Sequence, residues 1–398
     1  MATKNKTIVL GVTGSISAYK AADLASRFTR EGFRVDVILT ESAMKFIAPL
    51  TFRNITGRPV VTTMWDLDSE FSVEHVALAE AADIVLIAPA TANIIAKIAG
   101  GLADDMLSCT VLATMAPVVI APAMNDNMWA NPITRENVEK LKKRGFTFVE
   151  PAYGRLASGK MGTGRLTSVD EICGITLLVL GRKGDLAGKN IVVTAGGTQE
   201  PVDPVRCLTN RSSGKMGYAV AEAARNRGAE VTLISAPTAL LKPTGIKVID
   251  VTTAEEMLKA VQEATKKADV LIMAAAVADF RPARPSGSKI KRQDLNELRL
   301  ELEKTPDILA QVKGDFIRVG FAAESHDIVA NARDKVKRKG LDLIVANDIT
   351  EKDCGFGTET NRVTIIDSQG KAEELPLLHK NVVANKILDR VVNLLKKK

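Results

Sequence analysis

Short, unbroken runs of β-branched and aliphatic residues recur along the chain, separated by stretches with helical periodicity. Thr7–Val12 (TIVLGV) is the first of them. A run of this kind has no polar face to turn to water, so it suits a strand covered on both faces. A Gly/Ser turn follows, then a helical pattern from about Ser17 to Glu31. Val35–Leu39, Ile84–Ala88 and Val118–Ala121 repeat the motif, each bounded by turn residues or a helix. This rhythm predicts an open, mostly parallel sheet with helices on both faces. It then restarts. Residues 181–188 (GRKGDLAG) are polar and glycine-bearing and read as a linker. Ile191–Ala195 (IVVTA) opens a second series, continued by Glu230–Ser235, Val248–Val251, Val270–Ala275, Arg318–Ala322 and Leu343–Asn347. The expectation is two Rossmann-like α/β domains, 1–180 and 189–398.

Composition narrows the function. With 398 residues, 46% hydrophobic and 25% charged, the chain can build two cores and is not a disordered segment. Its 54 basic and 47 acidic residues leave +7, and the pI is near 9.1, a surplus that suits anionic small molecules as well as RNA. Aromatics make up only 4%, which argues against stacking platforms and so against a nucleic-acid partner. The cysteines Cys109, Cys173, Cys207 and Cys354 form no CxxC pair, and only three histidines are present. Neither a zinc site nor a disulfide framework is expected, and a reducing cytosol fits. The longest apolar runs, such as Val111–Ala123, are broken by proline and too short to cross a bilayer. Lys4 and Lys6 precede a strand-sized run without a cleavage site, so a soluble cytoplasmic protein is expected.

In open α/β sheets, ligands bind beyond the carboxyl ends of the strands. The loop Gly11-Val-Thr-Gly14-Ser15-Ile16-Ser17 lies there, between a strand and a helix. Backbone N–H groups at that helix start, with the Ser15 and Ser17 hydroxyls, suit a phosphate. The loop is not GxGxxG, which favours a mononucleotide over a dinucleotide; a plain tight turn is the alternative. Thr91 and Asn93 follow the Ile84–Ala88 run and equally suit a helix cap. Asn125 follows Val118–Ala121 in Pro122-Ala-Met124-Asn125, where turn chemistry comes first and ligand binding second. His75 stands alone, and a lone histidine is more often structural than catalytic.

In their order these pieces resemble the flavin-containing cysteine decarboxylases: the phosphate loop, His75, Ala88–Asn93 and Pro122–Asn125 all match. The second half resembles phosphopantothenate–cysteine ligases, through TAGGTQEP (194–201), DPVR (203–206) and NRSSGKMG (210–217). AAAVADF (274–280), Lys289-Ile-Lys291-Arg292 and GFAAE (320–324) fit the same family. Together they resemble the bifunctional enzymes of coenzyme A biosynthesis, in which the decarboxylase is fused to the ligase.

That resemblance implies a flavodoxin-like N-terminal domain binding FMN. Gly14, Ser15 and Ile16 would hold the phosphate with Thr40 and Ser42; Thr91, Asn93 and Ser108 would follow the isoalloxazine and ribityl chain. A flavin is needed because CO2 loss from a cysteine amide leaves a carbanion without a sink, whereas prior oxidation of the thiol to a thioaldehyde provides one. His75 would be the base or would position the cysteine end, and Asn125 would bind the substrate carboxylate. One departure stands out. In the flap Gly154–Arg165, Ser158 occupies the place of the family's proton-donating cysteine. A hydroxyl is far less acidic than a thiol of pKa about 8.5. Ser158 relays the proton, water or Lys160 supplies it, or the reaction stops at the enethiol; a half that has lost turnover and is regulatory is a further alternative, and complete decarboxylation with a changed donor is the favoured reading.

For the ligase half the resemblance implies CTP, attack by the 4'-phosphopantothenate carboxylate, and an acyl-cytidylate that L-cysteine captures. A polyanionic substrate calls for lysines and Mg2+, whose ligands the sequence leaves unknown. Lys289 matches the family's transition-state lysine, on a stretch expected to be flexible; a solvated basic run is the alternative. Lys335 and Lys339 would hold the triphosphate, Asp279 and Phe321 the cytidine, and Pro306, Asp307, Ile308 and Leu309 would add contacts. Asn210 would handle the acyl-cytidylate. A trimeric decarboxylase and a dimeric ligase imply a homo-oligomer, with a dodecamer closing both symmetries.

Overall fold

The structure is a computed structural model that describes residues 6–65, 73–291, 298–324, 328–348 and 357–398; Arg292 and Cys354 lie outside them. The chain forms two compact units, Met1–Leu180 and Gly181–Lys398.

In the first unit the strands are β1 (Thr7–Val12), β2 (Arg34–Leu39), β3 (Val60–Val61), β4 (Ile84–Ala90), β5 (Val118–Pro122) and β6 (Thr147–Phe148), followed by a hairpin, β7 (Ala152–Arg155) and β8 (Met161–Arg165). The first six make a parallel sheet in the order β3-β2-β1-β4-β5-β6, with Ile8 opposite both Val35 and Ile84. Every residue of β1 is buried. Alternate side chains enter opposite cores: Ile8, Leu10 and Val12 join Leu24, Phe28 and Ile172, while Val9 joins Ile87, Ile95 and Leu141. Each such side chain contributes roughly 1.5–3 kcal/mol relative to exposure. That two-sided burial is why the strand sequence does not alternate with polar residues. The strand order reverses between β1 and β4, and this opens a crevice at their carboxyl ends.

The second unit adds β9 (Asn190–Ala195), β10 (Gln199–Pro201), β11 (Cys207–Thr209), β12 (Glu230–Ser235), β13 (Lys247–Asp250), β14 (Val270–Met273), β15 (Phe280–Pro282) and β16 (Leu302–Lys304). It ends with β17 (Ile317–Glu324), β18 (Leu343–Asp348), β19 (Thr360–Asn361), β20 (Val363–Asp367), β21 (Ala372–Glu374) and β22 (Leu378–His379). Eight of these form a sheet ordered β13-β12-β9-β14-β17-β18-β20-β21. It is parallel as far as β18 and antiparallel beyond it. The pairs β10–β11, β15–β16 and β19–β22 are short antiparallel ribbons.

Residues 181–188 differ from the expected linker. Gly181 ends the Val169–Gly181 helix, and Leu186 is fully buried in the second core, donating its N–H to Arg227 O at 3.0 Å. The Arg227 guanidinium, 4% exposed, pairs with Asp185 at 2.6 Å and Asp389 at 2.9 Å and donates to Asn385 O at 3.1 Å. Of the segment's polar side chains Asp185 serves this buried arginine, while Arg182 and Lys183 are exposed.

Candidate active sites

In the first unit three expected residues cap the helical turns that follow β1, β2 and β4. Ser15 Oγ accepts Ser17 N–H at 3.3 Å, Thr40 Oγ1 accepts Ala43 N–H at 3.2 Å, and Thr91 Oγ1 accepts Ile94 N–H at 3.4 Å. The loops are bolted together by Thr13, whose Oγ1 donates to Pro89 O at 2.7 Å and accepts Thr91 N–H at 3.0 Å. The Ala88–Pro89 peptide is cis. Gly14 lies so close to the Glu41–Met44 helix that a Cβ there would sit 2.4 Å from Ser42 Cβ. The glycine lets the two loops pack closely, and helix starts carrying serine and threonine hydroxyls are of the kind that suit a phosphate-sized anion. Ile16 and Asn93 stand exposed on the same loops. Ser108 lies in the Met106–Ala113 helix. It is 2% exposed, and its hydroxyl is committed to a capping box with Asp105.

His75 sits half-buried in the first turn of the Glu74–Ala81 helix, which packs against the Met106–Ala113 helix. Asn125 caps the Asp126–Ala130 helix, its Oδ1 accepting Asn127 N–H at 2.9 Å. Strand β8 of the flap lies directly on this segment: Met124 N–H donates to Gly164 O at 2.9 Å. A Cβ on Gly164 would be 2.3 Å from Met124 O, and one on Gly162 would be 2.8 Å from Asp126 Cβ. The glycines therefore let the flap strand touch the Asn125 motif. Ser158 is exposed in the turn between β7 and β8, beside Gly159 with φ +84°. At the base of the flap, Lys20 donates to Leu166 O at 3.2 Å. Burial, then the nearby Arg165 charge, holds the Lys20 pKa below the ordinary lysine value.

The second unit contains a cavity of about 830 Å³. Asn210, Asp279, Pro306, Asp307, Ile308, Leu309, Phe321, Lys335 and Lys339 all line it. They come from five separate stretches that the sheet topology brings together. Asp307 caps the Ile308–Gln311 turn and pairs with Lys339 at 3.1 Å. Asn210 Nδ2 donates to Val277 O at 3.0 Å. The Lys215–Arg225 helix opens into the cavity behind Gly214 (φ +75°), and Gly217 is pressed onto β9, 2.7 Å being left between a Cβ there and Ala195 Cβ. Lys289 is not among the lining residues; it is exposed on a segment held by the 202–206 turn. Nor is that segment loose. Ala283 N–H donates to Glu301 O and Ser286 N–H to Val202 O, each at 2.9 Å.

Sequence reasoning missed part of this wall. Lys215 lines the cavity, pairs with Glu359 at 2.5 Å and donates to Gly357 O at 2.8 Å. Lys380, 5% exposed, donates to Thr358 O at 2.7 Å, and burial together with the Lys215 charge lowers its pKa. Asn347 and Asn361 also line the cavity, and each has a buried Oδ1 without a partner among the described residues. Lys215 lay inside a motif already noted. The others carry no local signal: Asn347 lies on β18, and only the antiparallel β19–β22 pairing sets Asn361 beside the start of the last helix, where Lys380 stands. Among the described residues no His/Cys/Asp/Glu group is placed to hold a metal, and no helix is long and apolar enough to cross a membrane.

Comparison with known proteins agrees with this two-part organisation. Residues 1–179 match the flavoprotein family, and residues 186–395 match the C-terminal domain of DNA/pantothenate metabolism flavoproteins. The coenzyme A biosynthesis bifunctional protein CoaBC of Bacillus subtilis (strain 168) is 44% identical over 398 residues, spanning 98% of each chain. That of Mycobacterium tuberculosis (strain ATCC 25618 / H37Rv) is 43% identical over 409 residues, 98% of this chain and 97% of the relative. A crystal structure of the C-terminal domain of a CoaBC protein is 41% identical, with a TM-score of 0.47, and covers 54% of this chain and 100% of that one. With a flavoprotein half, a ligase-type half and relatives matched from end to end, the chain belongs to the family of coenzyme A biosynthesis bifunctional proteins.

Proposed function

We propose that the second unit joins 4'-phosphopantothenate to L-cysteine with CTP, and that the first unit decarboxylates the product to 4'-phosphopantetheine with FMN. The domain limits that go with these activities are 1–180 and 189–398, with 181–188 as an ordered connection. The observation that carries the ligase reading is the single cavity in which Asn210, Asp279, Pro306–Leu309, Phe321, Lys335 and Lys339 meet. Its lysines and the amide groups at the start of the Lys215–Arg225 helix suit a triphosphate, and half-buried Phe321 offers a face to a base. The phosphopantothenate carboxylate attacks the α-phosphorus of CTP, forming an acyl-cytidylate and releasing pyrophosphate. The cysteine amine then attacks the acyl carbon and releases CMP. Lys289 answers the charge that builds in the first step, and Asn210 holds the cytidylate for the second. Mg2+ is expected to arrive with the nucleotide.

In the first unit the Gly14–Ile16 loop, Thr40, Ser42, Thr91, Asn93 and Ser108 would hold FMN, a reading that the hydroxyl-bearing helix starts after β1, β2 and β4 support. Bound there, FMN supplies the two-electron chemistry that makes CO2 loss from a thiol-bearing substrate feasible. Asn125 spends its Oδ1 on capping, which leaves its amide hydrogens to donate to the substrate carboxylate. His75 positions or deprotonates the thiol, and the flap closes water out from above Asn125. Ser158 relays the last proton from water or Lys160. The family resemblance is what implies self-association of this unit and a dodecamer with the ligase dimer. Light scattering that reports a monomer at micromolar concentration would overturn it.

The test is a coupled assay with phosphopantothenate, cysteine and each nucleoside triphosphate in turn, with products read by mass. CTP should be the preferred nucleotide and phosphopantetheine the end product; accumulation of the enethiol would reject the Ser158 relay. His75→Asn should stop decarboxylation and leave ligation intact, and loss of both activities in a folded variant would reject the division between units.

A further inference from the structure

Lys289 is exposed, and no ion pair engages its ammonium among the described residues, yet the backbone beside it is tightly held. Asp203 Oδ2 accepts the N–H of Ile290 at 3.2 Å. Arg206 Nη1 and Nη2 donate to the carbonyl of the same residue at 3.2 and 3.3 Å. Both polar groups of one peptide-bearing residue are thus gripped by a carboxylate and a guanidinium, which are themselves paired at 2.8 Å. The other end of the segment is tied to the same turn through Ser286 N–H and Val202 O, at 2.9 Å. Ser286 Oγ also donates to Ser288 O at 2.7 Å, which stiffens the link between the two anchors.

Asp203 is built for this task. Its side chain is fully buried, and Oδ1 accepts the N–H groups of Val205 and Arg206 at 2.8 Å each. Burial alone would raise its pKa, but the amide donors of Val205, Ile290 and Arg206 and the Arg206 charge outweigh it, and the carboxyl stays below its usual range. A carboxylate so occupied offers no competing partner to Lys289. The anchor is firm, and the neighbouring ammonium stays available.

We propose that the Asp203–Arg206 pair is a positioning latch that fixes the backbone at Ile290 and thereby sets where the Lys289 ammonium acts. The proposal rests on the reading of Lys289 as the residue that answers charge during acyl-cytidylate formation. A lysine side chain has four rotatable bonds and reaches in many directions; holding its backbone restricts the region its charge can occupy. Misplacement of a catalytic group by about 1 Å costs up to roughly 100-fold in rate. Asp203 is a positioning residue here, because it acts through Ile290.

Asp203→Asn isolates the latch. The retained Oδ1 still caps Val205 and Arg206, while the new NH2 faces the Ile290 N–H and the Arg206 guanidinium, donor against donor. In the full-length protein, pyrophosphate release without cysteine should slow by roughly 10- to 100-fold. CTP affinity by calorimetry should stay within about 2-fold, and decarboxylation of supplied phosphopantothenoylcysteine should be unchanged. In a Lys289→Gln background, Asp203→Asn should add nothing, since the group it positions is gone. The latch is overturned if Asp203→Asn keeps the parent rate, if it weakens CTP binding in step with the rate, or if its loss persists undiminished in the Lys289→Gln background. A parent rate in Lys289→Gln alone would show instead that the underlying reading of Lys289 fails, and the latch with it.

Discussion

Gly164→Ala tests whether the flap strand must lie on the Asn125 motif for decarboxylation. The added Cβ would fall 2.3 Å from the carbonyl oxygen of Met124 and 3.3 Å from the backbone nitrogen of Asp126. Both are main-chain atoms, so no side chain can swing aside. The φ of +156° is a further strain for any residue with a Cβ. Relief requires β8 to move by about 1 Å or more, which breaks the 2.9 Å bond from Met124 N–H to Gly164 O. Backbone strain of about 1–3 kcal/mol plus about 1 kcal/mol for the hydrogen bond gives roughly 2–4 kcal/mol against the docked flap. At 1.4 kcal/mol per factor of ten, that is a roughly 30- to 700-fold shift toward the undocked hairpin. Decarboxylation should fall accordingly in kcat/KM, measured on purified full-length protein with supplied phosphopantothenoylcysteine, while ligation on the same sample continues. Gly100→Ala is the control, because Gly100 lies at the end of a helix and a Cβ there meets nothing within 4 Å. If Gly164→Ala decarboxylates at the parent rate, flap docking is not required; if both reactions fall together, the substitution has damaged more than the flap.

Three further outcomes follow from buried groups. Arg227→Met removes a guanidinium paired with Asp185 and Asp389, which are themselves 41% and 38% exposed, so the cost is discounted from the fully buried case to about 2–3 kcal/mol. The thermal transition should drop by roughly 4–12 °C, and an unchanged transition would refute the role given to the 181–188 segment. Cys173, pushed up to about 12 by burial, has only about one thiolate in ten thousand at pH 8, so iodoacetamide should label exposed Cys207 first and leave Cys173 untouched until unfolding. Peptide mass mapping with both labelled at similar rates would contradict that. Burial and the Lys215 charge depress the pKa of Lys380, so its charged form opposes folding. Stability should rise as pH climbs through the lowered folded-state pKa toward the ordinary 10.5, and Lys380→Met should flatten that rise; superimposable melting profiles would be incompatible with it.

The parallel core was legible because two-sided burial writes itself into consecutive apolar residues, as in Thr7–Val12 and Ile191–Ala195. The carboxyl-end rule then led to Ser15 and Thr91 in one half, whereas Thr40 and the residues of the cavity wall came from the family resemblance. What stayed hidden depends on contacts between residues far apart in the chain. Lys380 reads only as the start of the last helix, and Asn361 as a loop polar residue, until β22 returns antiparallel to β19. Proline, glycine and serine around Lys289 suggest a loose segment; the grip on Ile290 comes from residues about 85 positions earlier and has no local signature.

The second sheet ends at β13 on one side and at β21 on the other. Strand β21 is three residues long and reads Ala-Glu-Glu, and β13 begins and ends on exposed Lys247 and Asp250. An open edge is a template on which another chain's backbone can hydrogen-bond, and short, charged edges discourage that pairing. The consequence concerns crowding. The interior strands, whose sequences would be aggregation-prone if exposed, are flanked by margins that resist ribbon-to-ribbon growth. Copies of this unit are therefore steered to meet through side-chain surfaces, where charge and shape set the partner, and away from the indiscriminate ladder of main-chain bonds.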